Sequence, residues 1–334
     1  MALFYDGKGN QIVIAEATGS PDLTYTLSTA WITNAESAYN SMLAEMQTLG
    51  NGAVPFFIQT DAHGRGGHPH RWLHNLDSRV KSINLGDVTS DYFNTRELTA
   101  FYGAVKDVDN KICVFGNHDI WTKSGSDKDA NYYDLSEWFP SDGRRIEDKH
   151  SYFTVKDDSY NVKYIVLCPY YINLEYETNG TDMGIRTEQM EWLLGELSAD
   201  DGYDIIVLMH QLFNDEHCNR DGTKQNWADS QPIFREVWEV LKDRRNKRSG
   251  TITDSDGQAH SYDFTNVKSR YLGSLHGHTH EELMYTEENT TAYACDWYGN
   301  SGACCFGLFD RENSKLKIWY FTSATVFEPL ELSI

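Results

Sequence analysis

The feature that most constrains this chain is a repeated unit: a short apolar run that ends abruptly in Asp, Asn or His. Ala53 to Ile58 leads into Thr60-Asp61-Ala62-His63, and Ser82-Ile83-Asn84-Leu85 leads into Gly86-Asp87. Ile112 to Phe115 leads into Gly116-Asn117-His118-Asp119. Ile205 to Met209 leads into His210, and Tyr271 to Leu275 leads into His276-Gly277-His278-Thr279-His280. Short apolar runs closed by Gly and polar residues read as buried strands. Helical spacing separates several of them: Ala35, Ala38, Tyr39, Met42, Leu43, Met46 and Leu49; then Leu98, Phe101, Tyr102 and Val105; then Met190, Leu193, Leu194 and Leu197. Helices alternating with buried strands predict an α/β core. In open α/β sheets ligands bind beyond the carboxyl ends of the strands, which is where these polar tips stand.

The remaining chain is read around that core. Tyr5-Asp6-Gly7-Lys8-Gly9-Asn10 before Gln11-Ile12-Val13-Ile14 predicts a hairpin, so residues 1–30 form an N-terminal extension and 31–334 a single domain. Thr33-Asn34-Ala35-Glu36 matches a capping box for the first helix, which Gly50 closes. A hairpin is expected near 151–169, and residues 291–333 read mostly as strands. Loop-rich insertions are expected near 120–150 and 214–268, the second with a helix around Pro232 to Lys242.

Charge excludes some functions. With 29 Lys and Arg against 50 Asp and Glu, the formal charge is -21. Such a surface repels polyanions, so nucleic acid is disfavoured as a partner. One basic run, Lys242, Arg244, Arg245, Lys247 and Arg248, reads as a solvated helix C-terminus where cations suit the dipole, dispensable for chemistry. The six cysteines form no C-x-x-C pair and are expected to be reduced and mostly buried. The N-terminus lacks a basic segment followed by a long apolar core, and no apolar stretch is long enough to span a bilayer. A cytoplasmic protein without membrane contact is therefore expected.

Collected together, the polar tips are Asp61, His63, Asp87, Asn117, His118, His210, His278 and His280. Carboxylates, imidazoles and an amide without thiolates suit divalent or trivalent Mn, Fe, Zn or Ni. The set exceeds one tetrahedral site and matches two ions sharing a carboxylate, with one group left for acid–base work. Each fragment alone is weak; the order is specific. Asp-x-His is followed 26 residues on by Gly-Asp, 30 further by Gly-Asn-His-Asp, then by a strand-end His and Gly-His-x-His.

This ordered set resembles the calcineurin-like metallophosphoesterase superfamily over roughly residues 53–281. The resemblance implies a four-layer α/β/β/α sandwich of two mixed sheets flanked by helices, with a dinuclear metal centre. It assigns Asp61, His63 and His280 to one ion, Asn117, His210 and His278 to the other, and Asp87 to both. His118 is implied to face the substrate and leaving group as the acid–base residue, with Asp87 as its catalytic companion. The implied activity is hydrolysis of a small phosphomonoester or phosphodiester by hydroxide held between the ions, with manganese among the candidate metals. Two other readings stay open: a nucleotide phosphodiesterase or nuclease, and a structural or assembly module that keeps the fold.

The chain departs from the family pattern in two places. Leu212 stands where a Pro often follows the strand-end histidine, which leaves His217 as the alternative to His210. Gly86-Asp87-Val88-Thr89-Ser90-Asp91-Tyr92 lacks the phosphate-binding arginine of the protein Ser/Thr phosphatase branch. Asp119 reads as a loop-holding carboxylate and Asp91 as a turn carboxylate able to orient His118. His276 is expected to be structural, and His68, His70, His74, His150, His217 and His260 to be surface or helix residues. Tyr170, Tyr171, Trp297 and Tyr298 lie in or beside loops, where packing explains them as well as base stacking does.

Overall fold

Two mixed sheets pack face to face, and each carries helices on its outer surface. The computed structural model describes residues 4–5, 11–12, 27–90, 95–105, 107–120, 152–170, 183–214, 216–226 and 231–334. The chain begins with β1 (Phe4–Tyr5), β2 (Gln11–Ile12), α1 (Thr29–Leu49), β3 (Ala53–Gln59), α2 (His68–Leu76) and β4 (Lys81–Asn84). Then come α3 (Thr95–Val105), β5 (Lys111–Cys113), α4 (Asn117–Ile120), β6 (Phe153–Asp157), β7 (Val162–Val166), α5 (Thr187–Ser198) and β8 (Asp204–Leu208). β9 (Glu216–Asn219), β10 (Lys224–Asn226), α6 (Pro232–Asn246), β11 (Ser249–Thr253), β12 (Ala259–Asp263) and β13 (Tyr271–His276) follow. The chain closes with β14 (Leu283–Glu287), β15 (Thr290–Ala294), α7 (Tyr298–Ser301), β16 (Cys304–Asp310), β17 (Lys315–Phe321) and β18 (Leu330–Ser333).

The first sheet has the order β18-β17-β16-β3-β4-β5. Its β3, β4 and β5 are parallel, and β16, β17 and β18 add antiparallel strands. The second has the order β10-β9-β14-β15-β13-β8-β7-β6, with β7, β8, β13 and β15 parallel and antiparallel strands at both ends. β1 and β2 pair with Phe4 opposite Ile12, and β11 and β12 form a separate hairpin.

Burial explains why the parallel strands read as unbroken apolar runs. Along β3, Val54, Phe56 and Ile58 face the second sheet, meeting Tyr164, Val166, Ile206, Leu208 and Leu275. Ala53 and Phe57 face the other way, toward Ala35, Met42 and Leu73 of α1 and α2. On the far side, Leu193 and Leu197 of α5 and Phe234, Val237 and Leu241 of α6 cover Ile165, Ile205 and Val207. The result is the four-layer α/β/β/α sandwich. Each large apolar side chain fully buried in it contributes about 1.5–3 kcal/mol.

Several local expectations change. The first helix starts a turn before the capping-box pattern: Ser28 is the N-cap, accepting from Trp31 N at 3.1 Å. Thr33 Oγ1 instead donates to Thr29 O within the helix. Tertiary packing sets this start, because the buried Trp31 indole donates to Gly302 O at 2.8 Å and packs edge-on against Trp72. Gly50, at φ 56°, ends the helix as expected. Residues 214–268 contain the expected helix, α6, but are otherwise richer in regular structure than a loop insertion, supplying β9 and β10 to the second sheet and the β11–β12 hairpin. The expected insertion at 121–150, Asp91, Tyr171 and most of residues 1–26 lie outside the described residues.

Only part of the basic run is a solvated helix end: Lys247 and Arg248 are exposed, but Lys242 and Arg244 are not. Arg244 is only 1% exposed. Its Nε donates to Leu197 O at 2.7 Å and its Nη2 to Ser269 O and Oγ, tying α6 to the end of α5 and the approach to β13. Lys242 is buried between Glu239 and Glu287. These cations hold layers together.

His70 is a helix residue as expected, on the buried face of α2, whereas His217 and His260 are buried on strands β9 and β12 rather than on the surface or a helix. His70 sits under α2 with Nδ1 2.7 Å from Ser82 Oγ, and burial pushes its pKa down to about 3. The unfolded chain protonates this imidazole near the ordinary value of about 6.5. Between those values the unfolded state binds more protons, so His70 makes stability fall as pH drops from about 6.5 toward 3. His70→Gln is expected to flatten that dependence by up to about 1.4 kcal/mol per pH unit, measured by urea unfolding across the window.

Candidate metal centre

Parallel strands from both sheets deliver their polar tips to one edge of the sandwich. β3 leads to Asp61 and His63, β4 to Asp87, β5 to Asn117 and His118, β8 to His210, and β13 to His278 and His280. The main-chain ladder continues past the strands: Leu85 N donates to Gln59 O at 3.0 Å, Asp61 N to Gly86 O at 2.9 Å and His63 N to Asp87 O at 3.0 Å. Side chains then join the tips. Asp61 Oδ2 accepts from His278 N at 2.9 Å across the two sheets, and Asp87 Oδ1 accepts from His118 N at 2.8 Å. Asp61, His63 and His280 present ligand atoms within 4.8 Å of one another. The same holds for Asp87, His210 and His278, and for His63, Asp87 and His118. Shared residues make these groups one continuous donor surface.

The backbone is bent to make it. Asp61, His63, Asp87, His278 and His280 all have φ between 42° and 72°. They are half of the ten described non-glycine residues with positive φ. Asp and His enter this region more readily than most residues, yet such conformations cost of order 1 kcal/mol or more and persist only where surroundings impose them. Here the imposing groups are the hydrogen bonds just described. Gly86, at φ 103°, and Gly116 let two turns touch: a side chain on Gly116 would overlap Asp87 Oδ1 and Asp87 N.

Hydrogen bonds also orient the imidazoles. Nδ1 of His63 lies 3.0 Å from Thr89 O, that of His118 3.1 Å from Ser90 O, and that of His210 2.7 Å from Leu85 O. A carbonyl accepts only from N–H, so each Nδ1 carries the hydrogen in the neutral ring and each Nε2 turns a lone pair inward. This is the arrangement of ligating histidines. His210 Nε2 reaches within 3.3 Å of Asp87 Oδ2, and His280 Nε2 within 3.2 Å of Asp61 Oδ1 and 3.1 Å of His63 Nε2.

Charge within the cluster is tightly balanced. Burial alone would raise Asp61, but the His280 hydrogen bond and the nearby His210 hold it below the usual carboxylate range. Burial opposes ionisation of Asp87 as well, and His210 outweighs it and lowers the carboxyl. Burial would depress His210, yet Asp87 and Asp61 raise it to about 9. Two buried carboxylates facing inward imidazoles form a site that calls for positive charge. Asn117 Oδ1 is buried without a hydrogen-bond partner. An oxygen, imidazole and amide donor set with such an orphaned acceptor fits hard or borderline metal ions.

The other expected residues fall outside the donor surface. His217 is on β9 with its ring 6.2 Å from that of Tyr285, in none of the three groups. Asp119 accepts from Val88 N, Thr89 N and Gly116 N, so it holds loops. His276 is buried between Gln211 O and Ser274 Oγ. Trp297, read from the sequence as a packing or base-stacking aromatic beside a loop, is instead a neighbour of the centre. Its indole stacks on His280 at 4.6 Å and 26° and meets His63 edge-on at 5.6 Å. The available signal was its position, just beyond the parallel strand β15.

The fold and site together define an α/β sandwich carrying a buried Asp/His/Asn cluster across the carboxyl ends of both sheets. No protein-family model matches the chain, and no curated protein matches it. Among solved structures it is similar to PhoD, at 11% identity over 84% of this chain and 68% of that one, with a TM-score of 0.48. It is also similar to GAP50, the anchor in the inner membrane complex of Plasmodium, at 13% identity, 84% and 89% coverage and TM-score 0.47. A third is the calcineurin-like phosphoesterase YfkN from Bacillus subtilis, at 10% identity, 84% and 90% coverage and TM-score 0.35. Among the described residues no helix is long and apolar enough to cross a membrane.

Because Gly116 backs directly onto Asp87, Gly116→Ala is expected to push that carboxylate out of place. The overpacking is expected to cost about 1–3 kcal/mol in urea unfolding, whereas alanine at Gly103, where a Cβ meets nothing within 4 Å, should be neutral or stabilising.

Proposed function

We propose that this chain is a metal-dependent phosphoesterase acting on a small phosphomonoester or phosphodiester. One observation carries the reading: Asp61, His63, Asp87, His210, His278 and His280 converge from separate strand ends, five of them in left-handed backbone. In this reading Asp61, His63 and His280 hold one ion, Asn117, His210 and His278 a second, and Asp87 both. Two ions held by these residues would lower the pKa of water and neutralise phosphoryl oxygens.

The chain's own groups do the rest. Asp61 Oδ2 and Asp87 Oδ1 are committed to backbone N–H groups, so each carboxylate turns its other oxygen toward the imidazoles. His118 has its Nδ1 at Ser90 O and its Nε2 4.0 Å from Asp87 Oδ2, at the partly exposed rim. From there, as the imidazolium, it can donate the Nε2 proton to a departing oxygen. Ordinary proton donors of this kind contribute about 10²–10⁴ in rate. The net charge of -21 supports a small substrate over a nucleic acid.

The deciding test is a panel of small phosphoesters assayed with Mn, Fe, Ni or Zn, together with elemental analysis. Two ions per chain are expected; a single ion in active protein overturns the dinuclear assignment. Asp87→Asn is expected to weaken both ions and Asp61→Asn mainly one, read by titration calorimetry.

His118→Asn is expected to keep both ions and to lose about 10²–10⁴ of the rate on alkyl phosphoesters. The loss should be smaller on p-nitrophenyl esters, whose leaving group departs without a proton. Equal losses would assign His118 to electrostatic stabilisation, and loss of an ion would make it a ligand.

A further inference from the structure

The residues after β15 form a bracket on the centre. Tyr298 N donates to Thr60 O at 3.2 Å and Gly299 N to Asp61 O at 3.0 Å, so this segment is bolted to the tip that carries Asp61. Trp297 N donates to Asp296 Oδ1 at 2.6 Å, and Asp296 Oδ2 accepts from Tyr320 OH at 2.6 Å, which anchors the bracket to the first sheet. Gly299 packs so closely under the indole that a Cβ there would overlap Trp297 Nε1. Trp297 therefore has one seat, and that seat places it on His280.

His280 is the donor that most needs support. Its side chain is 38% exposed, against 0% for Asp61 and for His210. It sits in left-handed backbone at φ 56°. Among the described residues no carbonyl holds its second nitrogen as Thr89 O holds that of His63 or Leu85 O that of His210. Its face is instead covered by the indole, 4.6 Å away and 26° from parallel, and the same indole meets the edge of His63 at 86°. One rigid ring thus touches two of the three donors in the group Asp61, His63 and His280.

We propose that Trp297 is the positioning residue of that donor group, fixing the His280 ring by stacking where the buried histidines are fixed by hydrogen bonds. The inference rests on the metal-centre reading above. Outer partners that orient ligands typically matter by 10–100-fold in metal affinity. Among the described residues its indole packs against the rings of His63 and His280, so its effect should be confined to one ion.

The experiment titrates Mn²⁺ and, separately, Zn²⁺ into metal-stripped full-length protein by calorimetry. Wild type is expected to bind two ions. Trp297→Ala is expected to bind one of them about 10–100-fold more weakly, with the other unchanged, and Trp297→Phe to recover most of the loss because it keeps an aromatic face. Gly299→Ala displaces the indole without removing it and is expected to reproduce the Trp297→Ala defect. Co²⁺ binding should quench a component of tryptophan fluorescence that Trp297→Phe lacks. Folded Trp297→Ala and Gly299→Ala proteins that bind both ions as wild type does would overturn this inference alone. Wild-type protein that takes up neither ion would overturn the metal-centre reading, and this inference with it.

Discussion

Everything at the centre depends on two carboxylates that each serve twice. Asp61 gives one oxygen to His278 N, and Asp87 gives one to His118 N. Those bonds fasten one strand tip to another and, through Asp61, one sheet to the other. The second oxygen of each is then left to face imidazoles, 3.2 Å from His280 and 3.3 Å from His210. A charge-assisted bond to a backbone N–H is stronger than a neutral one, and it fixes the carboxylate plane as well as its position. Loss of either carboxylate therefore removes a chemical group and a structural fastener together.

The two-sheet sandwich explains why the cluster lies at an edge. Parallel strands point their carboxyl ends the same way, and turns leaving a sheet there have backbone groups without ladder partners. In this chain the turns satisfy one another: Gly86 O, Asp87 O and Gln59 O accept from the neighbouring tip. Glycine at 86 and 116 allows that approach. The left-handed residues follow as a geometric consequence, since a chain that must reverse over so few residues has few other conformations open to it.

Much of this was legible in the sequence because it is local. An apolar run that ends in Gly-Asp or Gly-His-x-His carries its strand and its tip within a dozen residues, so the strands, their polar ends and the fold class could be read directly. Other features were hidden by the distance of their partners. The helix His68–Leu76 is rich in His, Asn and Pro and shows only Pro69, His70 and Leu73 to the interior, too narrow a stripe to stand out. Arg244 looks like a surface cation until Leu197 O and Ser269 are beside it. Trp297 was indistinguishable from any packed aromatic until β15 proved to be another parallel strand.

The bond from His278 N to Asp61 Oδ2 spans 217 residues of chain. Closing so long a loop carries an entropic cost that grows with the logarithm of its length, and chains rich in such long-range contacts fold more slowly. On a ribosome, the first sheet's Asp61, His63 and Asp87 emerge long before the strand that delivers His278 and His280. During that interval the nascent chain exposes isolated donors and no assembled site. The centre's geometry thus exists only once β8 and β13 of the second sheet have closed on β3, β4 and β5 of the first.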